Sequence, residues 1–409
     1  MTFDGLWDSI LDVGRDSATG GYRRFAWTTA DLTLREWFAG EAQRRGMTVE
    51  EDRNGNVWAW WMPPGWSGDP VGAFVTGSHL DSVPGGGAFD GPLGIVSAFA
   101  AIDLLVARGV TPHIPVAVVA FSDEEGGRFG VACVGSQLST GSVTPERALN
   151  LRDADGTTLA DALTAAGRNP AHLGADPNLA TRVGVYVELH VEQGRALDLV
   201  DKPIAVASAI WPHGRWQFTF CGMANHAGTT RLVDRRDPML AFAATVRAAR
   251  DRATTHEAVA TFGKLTVTPN GANAIPSQLL AWLDARAGDE TTLAAMVEAI
   301  AADATRFSED DGITLAVDVE SVSPAVVFPE APRARIVRAL SALGDVPILP
   351  TAAGHDAGVL SEKVPTAMLF VRNPTGVSHS PDEWASADDC LDGIAALADV
   401  VTDLAGAGA

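Results

Sequence analysis

The chain has 409 residues, 46% of them apolar, which is enough for a sizeable core and, by length, for two domains or three. Its 30 Lys+Arg against 51 Asp+Glu give a formal net charge of -21, which argues against nucleic acid or an anionic membrane as partner, since phosphate binding needs a basic face. The three cysteines, Cys133, Cys221 and Cys390, are widely separated; they form neither a disulfide framework nor a CxxC metal site and fit a reducing cytoplasm.

In chain order, MTFDGLWDSILDVGRD lacks the basic n-region and long apolar h-region of a signal peptide. The longest apolar runs are strand-length, so a cytoplasmic location without a transmembrane helix is expected. No internal repeat or low-complexity segment is visible. GAFVTGSH (72–79) reads as a buried parallel strand that runs into SHLDSVPGGGAFDG (78–91), a glycine-punctuated loop with His79, Asp81 and Asp90. GIVSAFAAIDLLVA (94–107) is helical by length and composition. IPVAVVAFSDEEG (114–126) is a second buried strand, ending in acids. VGVYVELHVEQG (183–194) is a third, ending in His190, Glu192 and Gln193. In open α/β sheets, sites form outside the carboxyl ends of the strands, so three such ends point to one site.

From about Ala209 the texture changes. WQFTFCGMANHAGTT reads as a strand and turn, 237–253 as a helix, ATFGKLTV and QLLAWLDARA as strands, 292–307 as a helix and GITLAVDVES as a strand. That β-α-β-β-α-β order is the split βαβ of a ferredoxin-like α+β domain. It predicts an insertion over 209–325 between two parts, 1–208 and 326–409, of one α/β catalytic domain, with AMLFV (367–371) as a strand and a terminal helix after Ser386.

The candidate metal ligands are His79, Asp90, Glu125, His190 and, in GVSHSPDEW, His379. Imidazole with carboxylate and no cysteine suits Zn, Mn, Co or Ni. Five ligands are too many for one open catalytic site and suit two metals sharing a carboxylate. Asp90 is the bridging candidate, because the glycines before it let the backbone fold back. Asp81 is placed to accept from the far ring nitrogen of His79. Glu124, beside Glu125, can take a proton from a bound water and pass it to a leaving nitrogen. Metals and burial would move its pKa in opposite directions, and the sequence does not decide between them. A lone strand-end histidine is more often structural, and a lone DEE is more often a solvated turn; the weight lies in several clusters at strand ends. His113, His172 and His256 receive no role, and His213 is read as structural.

GSHLDSVPGGGAFDGPLG, FSDEEGGRFG, ELHVEQG, ANHAGTT, NAIPS, LDAR, AGHDA and SHSPDEW occur in the order seen in the amidase/hydantoinase/carbamoylase family of dinuclear metallohydrolases, which the chain resembles from about residue 70 to 385. That family contains N-carbamoyl-L-amino acid amidohydrolases, β-ureidopropionases and allantoate amidohydrolases. The resemblance implies a dinuclear zinc-exopeptidase-like catalytic domain with a ferredoxin-like lid and dimerisation insertion. It implies one metal held by His79, Asp90 and His190 and another by Asp90, Glu125 and His379, with Glu124 as acid/base. Arg286 matches the arginine that clamps a substrate carboxylate; the blander reading is a surface ion pair. Asn273, Gln193, Gly354 and His355 match other substrate contacts, although His355 and Asp356 also read as a turn pair. His226 matches a histidine that the lid offers across a dimer to an oxyanion. The loop PGGGAFD lacks the polar residue that many relatives place before the glycines. Trp211 and Trp216 are either core or the wall of an aromatic-friendly pocket. The expected activity is hydrolysis of the ureido C–N bond of an N-carbamoyl-L-amino acid, with allantoate or an N-acyl amino acid as alternatives. A metal-stabilised binding protein without catalysis is the reading from another class, and a chain that keeps Glu124 and all five ligands disfavours it.

Overall fold

A computed structural model describes residues 2–406. Two compact units emerge: residues up to Ser208 together with those from Phe328 onward, and Ala209–Val327 between them. In chain order the strands are β1 (Thr48–Glu51), β2 (Val57–Trp61), β3 (Ala73–His79), β4 (Val116–Phe121), β5 (Val183–Val191), β6 (Ile204–Ile210), β7 (His213–Cys221), β8 (Asn225–His226), β9 (Val259–Thr268), β10 (Ala274–Ile275), β11 (Gln278–Arg286), β12 (Thr314–Ser323), β13 (Val326–Val327), β14 (Ile348–Thr351) and β15 (Thr366–Val371). Among the described residues no helix is long and apolar enough to cross a membrane.

In the first unit the sheet runs β1-β2-β4-β3-β5-β15-β6, with β14 on β6. Its centre is parallel, β3 pairing with both β4 and β5 and β15 pairing with β5. The flanking β2 and β6 are antiparallel. Every residue of β3, β4 and β15 is buried, which is why these segments read as continuous apolar runs rather than alternating ones. The Pro92–Ala107 helix is covered along most of its length, by β3 on one side and the Ala387–Leu404 helix on another. Proline opens the first helix, and Ser386 caps the second by accepting from the Asp389 N–H. Because β3, β4 and β5 are parallel, their carboxyl ends share one edge of the sheet.

β4 stops at Phe121, earlier than its apolar run with the acids suggests. Asp123 takes a left-handed φ of 54°, so the acids leave the sheet as a bend instead of extending it. Residues 2–71, to which the sequence reading assigns no element, hold the Thr29–Arg44 helix and the β1–β2 hairpin.

The second unit is an antiparallel sheet of order β12-β7-β11-β9, with helices Pro238–Thr255 and Glu290–Asp310 in the connections. This is the split βαβ order. Along β7 and β11 burial alternates residue by residue, as one covered and one open face require. Trp216, Phe218, Phe220, Leu279 and Leu283 form its core with Phe242, Met296 and Ile300. Trp216 is therefore core; Trp211 is partly exposed and outside that cluster. The unit closes where Val326 and Val327 pair with Ile210 and Ala209.

Candidate metal centre

His79 is the last residue of β3 and His190 the penultimate residue of β5, so two imidazoles stand at one sheet edge. Asp90 lies between them. Its Oδ1 is 3.2 Å from His190 Nε2 and 3.7 Å from His79 Nε2. Its Oδ2 faces the other way, 3.4 Å from His379 Nε2, which in turn lies 3.6 Å from Glu125 Oε2. The ligand atoms of His79, Asp90 and His190 are within 4.8 Å of one another, and so are those of Asp90, Glu125 and His379. One carboxylate thus belongs to two ligand groups. His79 Nε2, His190 Nε2 and Glu125 Oε1 are buried with no hydrogen-bond partner. Buried polar atoms are nearly always paired, so orphans that converge in this way fit divalent cations, and the thiolate-free donor set suits them.

The backbone is shaped to the cluster. Gly91 has a φ of 85°, and a Cβ there would lie 2.3–2.5 Å from the His79 ring. Only glycine supplies both the left-handed conformation and the space. The Asp81 carboxylate does not hold the His79 ring as expected. Its oxygens accept the Glu124 and Glu125 N–H groups at 3.1 and 3.0 Å, and Oδ1 is 3.6 Å from His79 Nδ1. The backbone carbonyl of Asp81 faces that nitrogen, at 3.1 Å. The bend that turned the acids out of β4 is what draws the carboxylate to them. Glu383 is a residue that the sequence reading missed: its Oε1 accepts the Phe89 and Asp90 N–H groups at 3.2 and 2.9 Å, and its Oε2 accepts from Ser378 at 2.9 Å. It ties the Asp90 loop to the segment carrying His379. It stood inside SHSPDEW, but spacing alone gives no hint of a partner 293 positions away.

Negative charge is in surplus here. Burial drives the Glu124 carboxyl well above its usual range, and Glu125, Asp356 and Asp81 add to the effect. Glu125 is pushed up to about 10, by burial first and then by Asp90 and Asp81. For Asp90 burial also opposes ionisation, yet the His190 imidazole 3.2 Å away, with those of His79 and His379, holds it well below the ordinary range. Burial takes His79 down to about 4, with Asp90 opposing. In His190 the pull of Asp90 overcomes burial and raises it to about 9. Cations are the natural complement to so many buried acids.

The other residues singled out in the sequence divide by unit. Gln193 donates to Asp90 Oδ2 at 2.9 Å, and its Oε1 is unpartnered. His355 is buried, its ring edge-on to His190 at 4.5 Å with Nε2 unpartnered; Gly354, beside it, is exposed. Glu188, His190 and His355 form a further group with metal-ligand proximity. In the second unit His226 and Asn273 sit on neighbouring turns joined by the β8–β10 pair. His226 Nδ1 accepts the Gly228 and Thr229 N–H groups at 3.0 and 3.2 Å, which puts the ring proton of the neutral imidazole on Nε2. Arg286, at the end of β11, directs its fork at Asp284, with Nε to Oδ1 at 2.8 Å and Nη2 to Oδ2 at 3.2 Å.

Residues 75–403 match the peptidase family M20/M25/M40. The chain belongs to that family. It is similar to an N-carbamoyl-L-amino acid amidohydrolase of Geobacillus stearothermophilus, 36% identical over 404 residues and 98% of each chain. It is also similar to the allantoate amidohydrolase of Escherichia coli strain K12, 30% identical over 97% of this chain and 96% of the other. The crystal structure of an amidase of the hydantoinase/carbamoylase family from Burkholderia vietnamiensis superposes with a TM-score of 0.86 at 31% identity, covering 98% of this chain and 97% of that one. Within the M20 family the chain stands with these amidases, and it is a hydrolase.

Proposed function

We propose that this M20 hydrolase is a two-metal amidohydrolase that cleaves the ureido C–N bond of N-carbamoyl-L-amino acids. Water adds to the carbamoyl carbonyl, the bond to the amino-acid nitrogen breaks, and the carbamate released decomposes to CO2 and ammonia. The observation that carries this reading is the Asp90 carboxylate, with Oδ1 toward His79 and His190 and Oδ2 toward His379 beside Glu125. Two divalent ions there (Zn, Mn, Co or Ni), when bound, supply a Lewis acid for the substrate carbonyl and a more acidic water.

Glu124 takes the proton of the attacking water and delivers it to the leaving nitrogen. Its burial, which drives the carboxyl well above its usual range, makes it a stronger acceptor for that proton. His226, with its proton on Nε2, donates to the oxygen that becomes anionic. Arg286 binds the substrate carboxylate, which has to share the guanidinium with Asp284. Gln193, Asn273, Gly354 and His355 complete the substrate contacts.

We further propose a cytoplasmic enzyme, consistent with three free cysteines, and a homodimer joined through the inserted unit, whose sheet leaves β9 and β12 as edges. Allantoate is the second reading; it offers the same ureido and carboxylate groups, and similarity to the allantoate amidohydrolase favours keeping it. Ammonia release from N-carbamoyl amino acids, allantoate and N-acyl amino acids, with Mn, Co, Ni or Zn added, tests the choice. Release from N-carbamoyl-L-amino acids is expected; hydrolysis confined to N-acyl substrates would overturn it.

A further inference from the structure

Glu124 carries the proton in the proposed reaction, and the following inference rests on that reading. The Glu124 carboxylate has a single hydrogen bond among the described residues, from the buried thiol of Cys133, with Sγ 3.4 Å from Oε1. Oε2 points the other way, 3.7 Å from His79 Nε2 and so toward the ligand cluster.

The backbone builds this pairing. Cys133 N donates to Glu124 O at 2.6 Å, Val134 N to Asp123 O at 3.1 Å, and Gly135 N to Ser122 O at 2.9 Å. Both Asp123 and Cys133 adopt left-handed φ values, 54° and 55°, which non-glycine residues seldom take without a reason. Cys133 also occupies the N-cap of the Val134–Thr140 helix, where Ser, Thr, Asp or Asn usually caps with the side chain. Its side chain makes no capping bond and is turned to Glu124 instead. Burial, and then Glu124 itself, keep the thiol protonated, so it is a donor and not a second anion.

We propose that Cys133 is a positioning residue for the acid/base: its S–H holds Oε1 of Glu124 so that Oε2 is presented to the attacking water and the leaving nitrogen. A thiol is a weak donor, so it orients the carboxylate while leaving most of its basicity in place.

The test uses the full-length, metal-loaded protein with Cys133→Ala and Cys133→Ser. Loss of the donor in Cys133→Ala is expected to lower kcat about tenfold, part of the roughly 10²- to 10⁴-fold that proton transfer supplies, with KM and metal content unchanged. Cys133→Ser, which keeps a donor, is expected to recover most of that loss. Wild-type kcat in Cys133→Ala, or equal losses in both variants, would overturn the inference. A readout that does not depend on how the cysteine variants fold is the infrared S–H stretch, which is expected to shift between wild type and Glu124→Ala; unmoved S–H bands would overturn it as well. Turnover retained by Glu124→Gln removes the underlying reading of Glu124. An inactive Glu124→Gln beside a fully active Cys133→Ala removes the Cys133 inference alone.

Discussion

In the first unit His79, Asp90, Glu124 and His190 are all buried at the carboxyl edge of a parallel sheet. In the second, His226 and Asn273 are exposed on short turns, and Arg286 sits half-buried at a strand end with Asp284 already in its fork. The difference is one of constraint. The buried group is set by strand ends, by Asp81 and Glu383 acting on backbone N–H groups, and by a glycine that no other residue can replace. The exposed group is held by local bonds within its own turns and strand. Perturbing the first should remove chemistry or fold, whereas perturbing Asn273 or Arg286 in the second should change substrate affinity.

The largest effect is expected from Glu124→Gln, which should keep the metals and lower kcat by about 10²- to 10⁴-fold in steady-state kinetics. Turnover at the wild-type rate would take proton transfer away from the buried group. Gly91→Ala should destabilise the fold by at least about 2 kcal/mol in denaturant unfolding, because it adds both a left-handed alanine and a Cβ against the His79 ring. An unchanged midpoint would mean that the loop is looser than the geometry says.

Chelation should expose the charge surplus. In the metal-free protein Glu383 is raised to about 7, by burial and then by Asp90. A carboxyl raised in the fold contributes stability that is fully present below its ordinary value and is lost as pH rises through about 7. The chelated protein should therefore lose melting temperature between about pH 5 and pH 7, and the metal-loaded protein should lose less. A chelated protein that gains stability across that window would contradict this. The smallest effect belongs to the exposed side of the comparison: Arg286→Lys should raise KM about tenfold with metal content unchanged, since lysine cannot form the bidentate fork. A change in kcat alone would argue that Arg286 does not bind ground-state substrate.

Much of the buried group was legible in the sequence because its logic is local. An apolar run that ends in His79, or in His190 with Gln193, announces a parallel strand and a site at its tip. The split βαβ of the second unit was legible in the order of its strand and helix segments, and the alternating burial along β7 and β11 agrees with it. What escaped depends on contacts between distant segments. Glu383 meets Asp90 across 293 positions, and Asp81 meets Glu124 and Glu125 across 43 and 44. The role of Gly91 needs the position of the His79 ring, which no spacing supplies. Cys133 looked like one of three unremarkable thiols until the Asp123 bend and the left-handed residue at 133 turned it toward Glu124.

The measurement that bears most directly on the account is metal content, by mass spectrometry of protein purified without chelator, for the wild type and Asp90→Asn. A carboxylate shared by two ligand groups predicts about two ions per chain in the wild type and loss of both in the variant. Fewer than about one ion per wild-type chain, or a variant that keeps both, would contradict it.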